Sequence, residues 1–357
     1  MCASFSIWTK RNSMTSPVHS PLIFIHYGDA SYLRFTLETA RRSNPDKRII
    51  LLGDESNRKL VPRGVEHHLL ETYARGERIA IFDRVFQLIK GEEHNYRKLG
   101  GADFWTRFVF RRWFIIREFL EAEGIGSFWT FDSDTLILAP LTPREPRFAE
   151  FACTEQCRAQ CLNGFVADPT LPSRYVDKIN ELFQRSDYLE AQRVLLRRHT
   201  GLAYTEMSAY VTFREESDFR SYHAAVPLEG ETFDDALCFT ENFAIHPEKV
   251  KGRMTIKELR LDPRGAVWSR TETGEVVRMV TINGSWMPDY IFHRLGALAT
   301  TQEITKISPA EYERLTLLDV SEPLSSKMNR ELQMAVSRAS GFVRRFMKPG
   351  KSKSAAG

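Results

Sequence analysis

The chain has 357 residues, is 42% hydrophobic and 27% charged, and carries a net charge of +4. This is the composition of a globular protein with enough chain to bury a large core, which excludes fibrous and low-complexity classes. No uncharged apolar run approaches the roughly 18–20 residues of a membrane-spanning helix. Five cysteines, an odd number in a long chain, favour a reducing, cytoplasmic setting over a disulfide framework.

The charge is unevenly placed. Between Lys327 and Lys353 eight basic residues stand against Glu331 alone, a net +7; subtracted from +4, this leaves −3 for the rest. A near-neutral body gives no reason to expect nucleic-acid binding. The first 20 residues put Lys10 and Arg11 after their few apolar residues, the reverse of a signal peptide, and read as a flexible leader.

Pro21 to Tyr27 is an apolar strand ending at Gly28-Asp29. Tyr32, Leu33, Leu37 and Ala40 follow at helical spacing, and Arg48 to Leu52 is a second strand closing on Gly53-Asp54. Strand–helix–strand implies parallel neighbours and a right-handed crossover. Val65–Leu70 reads as a third strand and Ile79–Lys90 as a helix. A stronger helix spans about Phe104 to Glu121, with Phe108, Ile115 and Phe119 on its apolar stripe and Arg112 inside that stripe. A guanidinium among apolar neighbours needs an anion, either a core carboxylate or a ligand's phosphate.

Ser127 to Phe131 is an aromatic strand running into Asp132-Ser133-Asp134. Ligands of open α/β sheets bind at the carboxyl ends of strands. Residues i and i+2 of a strand share a face, so both carboxylates can meet one hard divalent cation. The alternative is a solvated turn. Pro140, Pro143 and Pro146 make a stiff link, and Phe148–Cys153 and Leu162–Ala167 read as strands. Cys153, Cys157 and Cys161 lack a fourth metal partner nearby and read as ordinary thiols.

Pro172–Arg198 and Ser208–Glu216 have helical patterns. Leu237–Phe239 and Phe243–Ile245 read as strands, and Ala266–Arg270 with Val276–Ile282 as a hairpin. Asp289–His293 is a further short apolar run, read as a strand ending in His293, and Ser308 to Glu311 a capping box. After Pro323 an amphipathic helix carries Met328, Leu332, Val336, Ala339, Val343 and Phe346 on one stripe. The first half of the stripe suits packing on the body, and the basic end an anionic membrane surface or disorder. The expected organisation is a leader (1–20), one α/β domain (21–320), and a basic helix with a disordered tail (321–357).

The ordered series Pro21–Gly28, Ile49–Asp54, Arg112-Trp113-Phe114, Phe131-Asp132-Ser133-Asp134 and Phe292-His293-x-x-Gly296 resembles metal-dependent, nucleotide-sugar glycosyltransferases of the GT-A fold, particularly bacterial polysaccharide-type members. The resemblance spans about residues 21–300. It implies a Rossmann-like, mostly parallel sheet flanked by helices, Mn²⁺ or Mg²⁺, a nucleotide-sugar donor, and a saccharide or lipid-linked acceptor. Ile25, His26, Tyr27 and Asp54 would hold the donor's base and ribose, and Arg112 its phosphates or sugar. Asp132, Asp134 and His293 would ligate the metal, with Asp132 and Ser133 also facing the donor. Asn163-Gly164 would contact the transferred sugar, Gly296 would admit the diphosphate, and Glu206 would act at the acceptor.

Each residue also has a plainer reading: a core histidine for His293, a helix-dipole charge for Glu206, a turn residue for Asp54. Competing with the transferase are a haloacid-dehalogenase-like phosphatase with Asp132 as nucleophile and a non-catalytic sugar-binding scaffold. Residues 325–353 are the expected peripheral contact with the inner membrane face.

Overall fold

The computed structural model describes residues 19–94, 101–298, 306–324 and 327. The leader up to residue 18 and nearly all of the expected basic helix and tail, including the membrane contact through 325–353, lie outside the described residues apart from Lys327.

β1 (Leu22–Ile25), α1 (Tyr32–Ser43) and β2 (Ile49–Gly53) form the expected crossover, with β1 and β2 parallel. β3 (Glu66–Leu69) extends the sheet beside β2, also in parallel. α2 (Leu70–Tyr73) and α3 (Glu77–Val85) lead to α4 (Ala102–Glu123). α4 stops at Gly124, whose left-handed φ of 63° lets its N–H reach the carbonyls of Leu120 and Glu121. β4 (Phe128–Thr130) returns beside β1, in parallel.

β5 (Thr135–Ile137) then leaves for a second sheet, followed by a 3₁₀ turn over Thr142–Phe148 where the prolines cluster. β6 (Cys153–Glu155) and β7 (Gly164–Val166) rejoin the first sheet, before α5 (Leu171–Leu182), α6 (Ser186–Arg198) and α7 (Glu206–Glu215). β8 (Ser221–His223) completes the order β3-β2-β1-β4-β7-β6-β8, with β7 antiparallel to β4. β9 (Glu231–Phe233), β10 (Arg260–Leu261), β11 (Val267–Arg270) and β12 (Val276–Asn283) build most of the second sheet, and α8 (Asp289–Gly296), α9 (Pro309–Tyr312) and β13 (Thr316–Leu317) follow. That sheet runs β13-β10-β11-β12-β5, with β9 parallel to β12. The architecture is mixed α/β.

The central strands β1 and β2 are covered on both faces, which is why they are apolar throughout rather than alternating, whereas β3, β6 and β8 further out carry polar residues. Leu22 and Phe24 face α1, where Leu33, Leu37 and Ala40 meet them. Ile23 and Ile25 face the layer containing Phe114, Ile115 and Phe119 of α4. Among the described residues no helix is long and apolar enough to cross a membrane.

Several expected strands differ. Phe148–Cys153 gives way to the 3₁₀ turn, and pairing begins only at Cys153. Leu237–Phe239 and Phe243–Ile245 are not ladder strands: Phe243 and Ile245 make single bridges to Thr271 and Lys257. Asp289–His293 is the start of helix α8 rather than a strand. Extending the run to Leu295 shows why, since Ile291, Phe292 and Leu295 are buried at helical spacing.

Candidate active site

Asp132 and Asp134 sit where the chain crosses from β4 in one sheet to β5 in the other. They lie in a turn closed by the Thr135 N–H to the Asp132 carbonyl at 2.9 Å, not on a strand face. The turn is anchored on three sides. Thr36 of α1 donates to the Ser133 carbonyl at 2.8 Å. The Ser133 hydroxyl and His26 Nδ1 hydrogen-bond at 2.8 Å. Gly284 N–H donates to the Asp134 carbonyl, also at 2.8 Å.

The two carboxylates have different surroundings. Asp132 Oδ1 accepts from Arg112 Nη1 at 2.6 Å, and its Oδ2 from Asn163 Nδ2 at 3.3 Å. Arg112 Nη2 reaches Glu206 Oε1 at 3.0 Å. The anion that Arg112 requires is therefore supplied by the protein: two carboxylates, one of them in the Asp-x-Asp turn. Asp134 Oδ2 accepts from the Ser285 hydroxyl at 3.0 Å, while its Oδ1 is buried without a hydrogen-bond partner. Burial, and then the charge of Asp132, push the Asp134 carboxyl well above the usual range. Glu206 opens α7, with its side chain 9% exposed. Burial raises it to about 7 against the pull of Arg112.

Asn163 is aimed by its neighbour. Gly164 has φ 101°, and a Cβ there would lie 2.0 Å from the Thr154 hydroxyl, so only glycine lets the chain pass. At the ends of β1–β3 a cavity of about 510 Å³ is lined by Tyr27, Asp54, Glu55, Ser56, Leu69 and Glu71. Asp54 stands in its wall but is committed to the loop, accepting from Gly28 N–H at 2.6 Å and Ser56 N–H at 2.7 Å. Tyr27 is partly exposed there, whereas Ile25 is buried in the core and offers a ligand no side chain. His26 is also buried; desolvation, opposed by Asp54 and Asp29, lowers it to about 4.

His293 and Gly296 lie on α8 against α1. On α8 the exposed His293 ring meets Phe35 edge-on at 5.7 Å, and Gly296 lies against the same side chain. Among the described residues no three His, Cys, Asp or Glu side chains form a group able to hold a metal. Gly296 serves helix packing between α8 and α1. One participant had no signature in the sequence: Ser285, 151 residues from the Asp134 it binds.

No family model matches this chain, and no curated protein matches it significantly. Function therefore rests on the chemistry of the site.

One prediction arises from His26. Its folded pKa lies below its unfolded value near 6.5, so the stability it contributes is complete above pH 6.5 and falls as the pH drops towards 4. The full loss is roughly 3 kcal/mol. Thermal melts between pH 8 and 5 should decline more steeply for the wild type than for His26→Gln; parallel curves would show that His26 is not the group responsible.

Proposed function

We propose that the protein is a metal-dependent glycosyltransferase of GT-A type, moving a sugar from a nucleotide-sugar donor to a hydroxyl of a saccharide or lipid-linked acceptor in the cytoplasm. The observation that carries this reading is the buried, unpartnered Oδ1 of Asp134 in a turn at the carboxyl end of β4, beside an Arg112–Asp132–Glu206 cluster and near an open cavity at the ends of β1–β3. One free carboxylate oxygen fits Mg²⁺ or Mn²⁺, which commonly takes one or two protein carboxylates and completes its shell with water and substrate phosphates. Asp134 would hold the ion; Asp132 stays with Arg112 and Asn163; His293 is not needed. When bound, the ion supplies Lewis-acid neutralisation of the leaving diphosphate.

The chain's own groups do the rest. Arg112, held between two carboxylates, keeps a positive charge beside the donor site. Tyr27 flanks the base, and Asn163 borders the transferred sugar. If the transfer inverts, Glu206 takes the acceptor's proton, for which a carboxyl titrating near 7 is well matched. If it retains configuration, Glu206 positions Arg112. The phosphatase alternative needs Asp132 free to attack, yet both of its oxygens are engaged.

Calorimetry with UDP-, GDP- and CMP-sugars in the presence of Mn²⁺ is expected to find one nucleotide class that binds only with the metal. Absence of binding by all three would remove the reading.

A further inference from the structure

Next to the carboxylate turn is a feature that donor chemistry does not use. Trp286 directly follows Ser285, the residue bound to Asp134. It is 68% exposed, and its backbone is left-handed at φ 63°, a conformation costly for a bulky side chain. Such strain persists where the surroundings impose it, and it clusters at ligand sites. The surroundings here are tight. Gly284 N–H and the Ser285 hydroxyl both bind Asp134, Met287 N–H returns to the Gly284 carbonyl at 2.8 Å, and the bend turns the indole outward.

The indole meets Phe239, ring centroids 6.2 Å apart and inclined at 47°. The Arg158 guanidinium covers Phe239 at 4.2 Å and is paired with Glu241. Arg158 is also left-handed, at φ 58°, and its N–H is fixed by Asp235 at 2.7 Å. Three segments, around Arg158, Phe239 and Trp286, thus meet: an exposed indole, an inclined Phe239 ring behind it, and a guanidinium over the face of Phe239, one residue from the candidate metal ligand's partner.

The geometry points to Trp286, backed by Phe239, as the acceptor platform, on whose indole a pyranose ring of a saccharide acceptor stacks with Arg158 and Glu241 at its hydroxyl edge. This rests on the transferase reading and names the acceptor's class. A pyranose carries C–H bonds on its faces and hydroxyls around its rim, the pattern that two rings bordered by charges complement. A lipid chain or an apolar helix needs a broader uncharged surface than two rings provide. The platform also begins one residue from Ser285, whose hydroxyl binds the Asp134 carboxylate proposed to hold the metal.

The test uses the full chain, tryptophan fluorescence, and methyl pyranosides and linear oligosaccharides of glucose, galactose, mannose and N-acetylglucosamine as probes. At least one probe should perturb the emission and protect the indole from acrylamide quenching. Trp286→Ala should weaken that binding about tenfold, the effect of losing one stacked aromatic face, while Trp286→Tyr keeps most of it. Both variants should melt like the wild type, since the side chain is exposed. Equal binding by the alanine variant, or no binding of any probe by the wild type, overturns the platform. UDP-, GDP- and CMP-sugar binding with Mn²⁺, measured on the same samples, separates the two ideas. Donor binding with saccharide binding indifferent to Trp286 sinks the platform alone; Trp286-dependent saccharide binding without any donor binding sinks the transferase and leaves a sugar-binding site.

Discussion

Asp134→Asn is expected to lower nucleotide-sugar turnover by about 10²–10³ and, at the same time, to raise the melting temperature. The two effects have one cause. In the free protein the Asp134 carboxylate is buried, faces the charge of Asp132, and satisfies only Oδ2, through Ser285. Asparagine keeps the shape and an oxygen for Ser285 while removing the charge that burial and Asp132 oppose. A gain of about 1–3 °C follows for a chain of this size. The same charge is what a divalent ion requires, so Mn²⁺ affinity, followed by electron paramagnetic resonance, should fall with turnover. This is the usual conflict between stability and a strained functional group. A variant that melts higher and still turns over donor within about threefold of wild type would remove Asp134 from the mechanism. One that is inactive because it melts far lower would show that the carboxylate is structural.

How far the sequence leads depends on the range of the interaction concerned. β1, α1, β2, α4 and the β11–β12 hairpin are legible because each is a local pattern: an apolar run with turn residues behind it, or a stripe at helical spacing. Arg112 belongs to the same class, since its place in an apolar stripe demanded an anion. Which anion was not legible, because Asp132 and Glu206 lie 20 and 94 residues away. Ile25 shows a finer limit. A strand covered on both faces carries no alternation to tell which side chain turns to the core and which to a ligand. His293 and Gly296 show how a short run hides its period: Asp289 to His293 passes for a strand until Leu295 is counted, and the helix it belongs to packs on α1. Ser285 had no local sign at all, and only the close return of β12's end to the β4–β5 turn gives it a role.

Arg112→Met carries the other large expectation, and its pH dependence makes it decisive. Arg112 is 13% exposed at its side chain and lies between Asp132 and Glu206. Removing it leaves two poorly hydrated carboxylates without a cation, a change that costs about 3–5 kcal/mol when both are ionised. Glu206 then sets the sign. Its folded pKa, about 7 even with Arg112 present, exceeds the unfolded value near 4.5. Proton uptake by the folded state therefore adds stability below the unfolded value, and that stability is lost as pH rises through the folded one. The variant's deficit should be largest at pH 8 and shrink towards pH 6. Adding Glu206→Gln should recover part of the deficit at pH 8 and flatten the pH dependence. Turnover should stay low in both variants, since neither has a guanidinium beside the donor. Denaturant titrations at pH 8 and pH 6 measure all of this. A deficit under about 1 kcal/mol, the range of an exposed ion pair, would mean that the cluster is solvated, and the same value at both pH levels would mean that Glu206 does not respond to the charge of Arg112.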